Sequence, residues 1–203
     1  MKTNLLVKLA LFAAATLSAH LGLAQATPTA TQPLQLAVFG GPTGTYTNFR
    51  GGKNGGLTVG ADLTFLFTPY VKPSFEIRGT APVISGHVDR QLNFLLGPKV
   101  EYPWHRFNPY VDLLFGRGQI TYLNGGYAYK DVLYLSSSSA VYSFGIGLDY
   151  DLTSRWAAKA DFQLQHWSTP IGPYGTIYPK ATTFGVVYRF DFNSHHRSRP
   201  AKH

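Results

Sequence analysis

Residues 156–167 alternate apolar and polar side chains with a period of two. The even positions from Ala158 to Leu164 are apolar, whereas the odd positions from Lys159 to Gln165 are polar. Successive side chains of a β-strand point to opposite faces, so this pattern predicts a strand with one apolar face and one polar face. A strand of this length, at about 3.3 Å per residue and tilted by about 40°, rises by roughly 28 Å, which is close to the apolar thickness that a membrane barrel crosses.

Eight segments of the chain read as strands, and most of them separate a polar face from an apolar one. A soluble sandwich has similar alternation. Here, however, the links after the second, fourth and sixth segments are short and the others are longer, as when periplasmic turns alternate with external loops. We therefore predict an all-β fold, an eight-stranded antiparallel up-and-down transmembrane β-barrel. Its strands are expected at residues 34–45, 56–67, 71–81, 91–102, 109–122, 140–152, 156–167 and 180–192.

The chain termini differ in composition from the predicted barrel. Lys2 and Lys8 precede an apolar run, and Ala24-Gln25-Ala26 fits a small-x-small cleavage site, so we expect residues 1–26 to be a signal peptide. The apolar run is shorter than the roughly 20 residues that a membrane helix needs. Residues 27–33 form a Thr/Pro linker, residues 34–192 the barrel and residues 193–203 a basic, His-containing tail that we expect to be disordered. The predicted location is the outer membrane.

The basic excess of the chain does not indicate nucleic-acid binding. Five of its 18 Lys and Arg residues lie in the first eight or the last seven positions, and the other 13 face 10 Asp and Glu. Nucleic-acid-binding proteins cluster positive charge on one face or along one helix, which this sequence does not do. The neighbouring histidines His195 and His196 are flanked by Arg197 and are a poor preformed metal site, so we expect no metal and no cofactor.

The last segment reads Thr183-Phe-Gly-Val-Val-Tyr-Arg-Phe-Asp-Phe192, with alternating aromatic residues. It resembles the closing strand of small eight-stranded outer-membrane barrels of the OmpA-like family, and the resemblance covers residues 34–192. It implies that Tyr188 with Phe190 or Phe192 is the signal read by the barrel-assembly machinery. Members of that family usually end at the final Phe, whereas this chain continues to His203, which leaves open which Phe plays the part. Outer-membrane lipid and lipopolysaccharide are the other implied partners.

The polar faces of the predicted strands carry many charges. A barrel of eight strands is just wide enough for side chains to fill it, and unpaired buried ions cost several kcal/mol. We therefore expect a filled, salt-bridged lumen with no open pore. Arg117 shares the parity of lipid-facing Leu113 and Phe115, which suggests a bulge at the neighbouring glycines. The expected lumen network is Asp62, Glu76, Arg78, Lys99, Glu101, Asp112, Asp149, Lys159, Asp161 and Arg189.

Aromatic residues lie at strand ends and in the links. Such residues mark the two membrane–water boundaries of a barrel. The expected girdle is Trp156, Trp167, Tyr102, Tyr150 and Tyr188. Tyrosines of the external links fit a girdle or a binding surface for an extracellular ligand equally well; these are Tyr122, Tyr127, Tyr129, Tyr134, Tyr174 and Tyr178.

The main functional hypothesis is a structural or surface-interaction role without catalysis, with two alternatives. His166-Trp-Ser168 resembles the His-x-Ser pair of the outer-membrane lipid A deacylases, which implies His166 as base and Ser168 as nucleophile. That family's motif continues with Asn and a nearby Glu, whereas Thr169 and Pro170 follow here and no acid lies between Ser168 and Asp191. The third possibility is a narrow channel for small solutes.

Overall fold

The computed structural model describes residues 34–68, 70–84, 89–129, 131–169 and 175–190. The signal peptide, the linker, the tail and Phe192 lie outside these residues. Among the described residues, no helix has the length and apolarity needed to cross a membrane. Eight long strands account for most of the described chain: β1 (Leu34–Tyr46), β2 (Lys53–Phe65), β3 (Lys72–Ile84), β4 (Asp89–Glu101), β5 (Phe107–Tyr122), β8 (Ser136–Asp151), β9 (Trp156–Ser168) and β11 (Lys180–Arg189). The short strands are β6 (Tyr127–Tyr129), β7 (Val132–Tyr134) and β10 (Thr176–Ile177).

The eight long strands close into a ring. Each pairs antiparallel with its neighbour in the chain, and the first strand, β1, also pairs with the last, β11, through partners such as Val38 and Tyr188. Closure leaves no strand edge, so backbone donors and acceptors are satisfied within the ring, as a lipid environment requires. The predicted fold class, an eight-stranded antiparallel up-and-down transmembrane barrel, is confirmed.

Link lengths differ in part from the expectation. The links after β5 and β9 are long and contain the short strands, whereas the link after β3 is only residues 85–88, as short as the turns at the opposite end. The hairpins extend further than predicted because residues such as Lys53 and Asp89 join the ladder. Strict alternation is therefore wrong for the first half of the chain. The two long links mark their end of the barrel as extracellular.

Side chains follow the period of two around the whole ring. Most charged and polar residues of the strands point inward and are buried, because the lumen is where they avoid lipid. Outward positions carry a continuous apolar belt, which includes Val59, Leu63, Phe75, Ile77, Leu92, Phe94, Val100, Val111, Leu113, Phe115, Phe144, Ile146, Leu164, Phe184 and Val186.

The predicted bulge at Arg117 is wrong. Residues 116–118 pair in unbroken register with β4 and β8, and Arg117 lies exposed on the outer face, opposite Phe94. The register shift lies instead between Gly55 and Gly56, where β3 carries the extra residue Val83. Glycine tolerates the backbone distortion of a bulge, but a glycine pair does not by itself say which strand pair holds it.

Candidate functional site

Arg78 lies at the centre of the lumen and is only 3% exposed. Its guanidinium donates to both oxygens of Asp161, with Nη1 at 2.6 Å from Oδ1 and Nη2 at 3.2 Å from Oδ2. It also pairs with Glu76 on its own strand and lies 3.7 Å from Asp112. The pairs span the barrel from β3 to β9 and β5, so one guanidinium pairs with carboxylates from three strands.

Two lysines extend this network towards the periplasmic end. The Lys99 ammonium lies 2.9 Å from Asp62 Oδ2 and 3.5 Å from Glu76 Oε2, and Lys159 lies 3.4 Å from Asp149 Oδ1. All these side chains are at most 6% exposed. Eight of the ten predicted lumen residues thus meet in one buried cluster, which we call the central network: Asp62, Glu76, Arg78, Lys99, Asp112, Asp149, Lys159 and Asp161.

The other two predicted residues lie apart from the central network. Glu101 pairs with Lys72 at 3.4 Å, and Arg189 pairs with Asp151 at 2.5 Å, both at the periplasmic mouth. Lys72 and Asp151 are partly exposed, unlike the central residues. The expectation of one ten-membered network is corrected to a central cluster and two rim pairs, because Glu101 and Arg189 stand at strand ends.

Aromatic and amide side chains that were not predicted complete the network. Tyr110 donates its hydroxyl to Asp161 at 2.8 Å, and the ammonium groups of Lys99 and Lys159 each lie 4.1 Å from its ring centroid. Gln163 donates to Asp112 at 2.9 Å and to Asp161 at 3.1 Å. These donors help to share the charge of five carboxylates opposed by three cations. Tyr110 has the same strand parity as Asp112, and Gln163 has the same parity as Asp161. This parity could have predicted from the sequence that both side chains lie in the lumen.

Above the central network, towards the extracellular end, a cluster of apolar side chains packs in the lumen beside buried polar residues such as Gln91 and Asn93. Trp167 is fully buried there, and its indole nitrogen donates to Gln165 at 2.8 Å. The expectation that Trp167 belongs to the girdle is wrong, since its odd position shares the inward parity of Lys159 and Asp161. The apolar plug, as we name this cluster, consists of Phe49, Leu95, Leu114, Ile120, Tyr122, Val141, Trp167 and Ile177.

The other girdle residues lie at the periplasmic end. Trp156 packs against Tyr188 with ring centroids 4.9 Å apart, and Tyr188 packs against Phe190 at 5.0 Å. Tyr150 packs against Phe107 at 5.0 Å, and Tyr102 is exposed beyond the end of β4. The structure therefore brings together an aromatic cluster where the last strand ends, which includes two of the three predicted assembly-signal residues.

The first and third external loops pack on each other. Phe49 contacts the rings of Tyr122 and Tyr127 at 5.6 and 5.3 Å, and Arg50 lies over the Tyr127 ring at 4.7 Å. Tyr122 is buried and Tyr134 packs on the plug, so these two are not freely displayed. Tyr178 is exposed, whereas Tyr174 and the side chain of Tyr129 are outside the described part.

Asp89 ties the first loop to the barrel. Its carboxylate accepts from Thr47 at 3.0 Å and from Gln91 at 3.0 Å. The predicted strand started at Gln91, so this inward acid was missed.

No cluster of three or more metal-ligating residues occurs among the residues that the structure covers.

His166 and Ser168 both lie on the outer face of β9, near the extracellular end. The His166 ring lies 5.2 Å from that of Tyr178 and 6.3 Å from that of Tyr142. A groove of about 490 Å³ runs beside it, with walls that include Phe115, Phe144 and Leu164. In the described ranges, no carboxylate forms an ion pair with His166.

The closed ring, its apolar outer belt and its polar interior define the chain as a small transmembrane β-barrel. A family model described as "Outer membrane protein beta-barrel domain" matches residues 9–190, and the chain belongs to this family. It is accordingly a protein of the outer membrane.

Solved structures of two outer-membrane proteins share this fold. Neisserial surface protein A is 8% identical, with a TM-score of 0.51 over 79% of this chain and 98% of that one. The attachment invasion locus protein of Yersinia pestis is 11% identical, with a TM-score of 0.51 over 79% of this chain and 100% of that one. At such identities the likeness concerns the fold alone. No curated protein matches the sequence significantly.

Proposed function

We propose that this chain is a closed, non-conducting outer-membrane barrel with a structural or surface-interaction role and no catalytic activity. The observation that carries the proposal is the pair of stacked layers across the lumen, the central network below and the apolar plug above. A permeating ion would have to displace Arg78 from three carboxylates and then pass the fully buried Trp167. Function then resides at the lipid-facing wall and the external loops.

Single-channel recording tests the closed lumen. The refolded barrel inserted in planar bilayers is expected to give no current steps above those of the protein-free bilayer, because both layers are held by packing and buried ion pairs. Steady porin-like steps that change in Lys99→Met or Arg189→Met variants would establish the narrow-channel alternative, since both residues line the interior.

Lipid A deacylation is the alternative that one observation favours. His166 and Ser168 share the outer face, and His166 lines a groove whose apolar walls could hold an acyl chain. A nucleophilic serine, however, needs a base that a third group orients, and His166 has aromatic neighbours in place of a carboxylate. Structural support for activation of Ser168 is therefore missing.

Mass spectrometry of released fatty acid decides between the two readings. The folded barrel incubated with lipopolysaccharide is expected to release no more ester-linked chain than the Ser168→Ala variant. Release by the parent protein that disappears in Ser168→Ala, with heat-dependent gel mobility showing both samples folded, would make the barrel a hydrolase.

The same proposal covers processing and assembly. Residues 1–26 act as the cleaved signal peptide, and the aromatic pair Tyr188 and Phe190 at the end of β11 supports recognition by the assembly machinery. The exposed external-loop residues, among them Tyr178, are where an extracellular ligand would bind.

A further inference from the structure

Three neighbouring strands place two lysines and a tyrosine in one row on the lipid-facing wall. Lys180 of β11 lies directly opposite Tyr46 of β1, which lies opposite Lys53 of β2. All three are exposed and stand at the extracellular ends of their strands. Two strand spacings separate the lysines, about 10 Å, so their flexible side chains can converge over the tyrosine.

Within the described ranges, no acid balances the positive charge of this row. Neither Lys53 nor Lys180 forms an ion pair with any residue of the described chain. Among the other acids, Asp131 lies in the third loop, Asp151 pairs with Arg189 at the opposite mouth and Asp191 falls outside the described ranges. The remaining seven of the ten are buried on the inner face: Asp62, Glu76, Asp89, Glu101, Asp112, Asp149 and Asp161.

A groove of about 530 Å³ begins immediately below the row on the same wall. Its floor is formed by Gly44 of β1 and Gly55 of β2, which lie opposite each other in the next outward-facing row. Thr182 of β11 and Ile84 of β3 flank these glycines in the same row. A Cβ at Gly44 would meet nothing within 4 Å, so the missing side chains themselves create the depression. Phe184, Leu57 and Val83 form apolar sides, and the bulge at Val83 shapes one of them.

We propose that this wall is a binding site for lipid A, the phosphorylated, multiply acylated glycolipid of the outer leaflet. Lys53 and Lys180 hold one of its phosphates, and an acyl chain lies in the groove over Gly44 and Gly55. The charge lies at headgroup depth and the groove at hydrocarbon depth, which is the order in which such a lipid presents its parts. Ammonium–phosphate contacts are charge-assisted hydrogen bonds and suit this boundary. The site does not depend on the lumen being closed.

Native mass spectrometry of the detergent-solubilised full chain tests the site, with bisphosphorylated hexa-acyl lipid A as the probe. The Lys53→Ala/Lys180→Ala variant is expected to bind it about tenfold more weakly than the parent, because charge-assisted contacts to the phosphate are lost. A Gly44→Leu variant, which fills the groove and leaves both lysines in place, is expected to weaken binding as well. Heat-dependent gel mobility verifies that each variant is folded.

Arg117→Ala is the matched control, because it removes an outward cation from β5, on the opposite side of the ring. It is expected to bind the probe like the parent. If Arg117→Ala weakened lipid A binding as much as the double variant does, the proposed site would be contradicted, and a general electrostatic attraction would explain the binding. Equal binding of dephosphorylated lipid A would exclude the phosphate contact, and equal binding of phosphatidylglycerol would exclude the glycolipid as the specific occupant. Unchanged lipid A binding by Gly44→Leu would contradict the proposal that an acyl chain lies in the groove.

Discussion

Replacement of Arg78 by methionine is expected to destabilise the barrel by about 3–5 kcal/mol, the cost of removing one partner from a buried ion cluster. Arg78 is the cation that pairs with Glu76, Asp112 and Asp161 together. Methionine fills a similar volume but carries no charge, so three carboxylates would remain buried with only the lysines nearby. Urea titration of the barrel in phospholipid vesicles, followed by the fraction of folded protein on unheated gels, measures the loss.

Lys72→Met is the matched control for this experiment. Lys72 pairs with Glu101 at the rim, where its side chain is 25% exposed and water screens the pair, so a loss below about 1 kcal/mol is expected. Adding Glu76→Gln and Asp161→Asn to Arg78→Met should recover much of the stability, because two of the three carboxylates that pair with Arg78 are then uncharged. Similar losses for Arg78→Met and Lys72→Met would contradict the central role of Arg78.

The period of two was sufficient to assign Arg78, Asp161 and Asp112 to the lumen. An ionised side chain within the hydrocarbon layer is far more stable on the lumen face than on the lipid face, so parity assigns these residues to the lumen. Parity does not predict, however, which lumen residues pair with each other. That Arg78 meets Asp161, 83 positions later, depends on barrel closure and strand stagger, which a single strand's sequence does not contain.

The apolar plug could not be predicted in the same way. Leu95, Leu114 and Trp167 share inward parity with polar residues, but an apolar side chain is stable both in lipid and in a packed lumen. The chemistry of an apolar side chain therefore does not reveal its side, and Trp167 was assigned to the girdle because it is aromatic, although its odd position shares the inward parity of Lys159 and Asp161. The strand lengths were also predicted too short. The segment Lys53-Asn-Gly-Gly56 has weak strand propensity, and it belongs to β2 because it pairs with β1.

A lumen filled in two layers confines function to the outside of the barrel. Inward residues such as Tyr110 and Gln163 donate to the carboxylates of Asp161 and Asp112, so they stabilise the structure and are not available to a ligand. The outer wall, in contrast, carries unneutralised lysines beside a groove, and His166 stands at the head of a second one. Substitutions in the lumen should therefore change stability, whereas substitutions on the wall should change interactions.

The plug depends on space that lumen glycines provide. A Cβ at Gly118 would lie 2.3 Å from the Trp167 ring, and the rigid indole cannot give way without leaving its site. Gly118→Ala is therefore expected to cost about 1–3 kcal/mol, in the range of overpacked cores. Gly44→Ala makes the same exchange on the outer face, where nothing lies within 4 Å, and is expected to leave stability unchanged within about 0.5 kcal/mol.

Trp167→Ala removes the indole itself and is expected to cost about 3–5 kcal/mol, since it leaves a large void in the plug. In the double variant the added methyl at Gly118 meets empty space, so the two losses should not add: Gly118→Ala/Trp167→Ala should be about as stable as Trp167→Ala alone. The same urea titration measures all four proteins of this cycle. Strictly additive losses would mean that Gly118 acts through its backbone, and that the space it leaves for Trp167 is not what secures the extracellular half of the lumen.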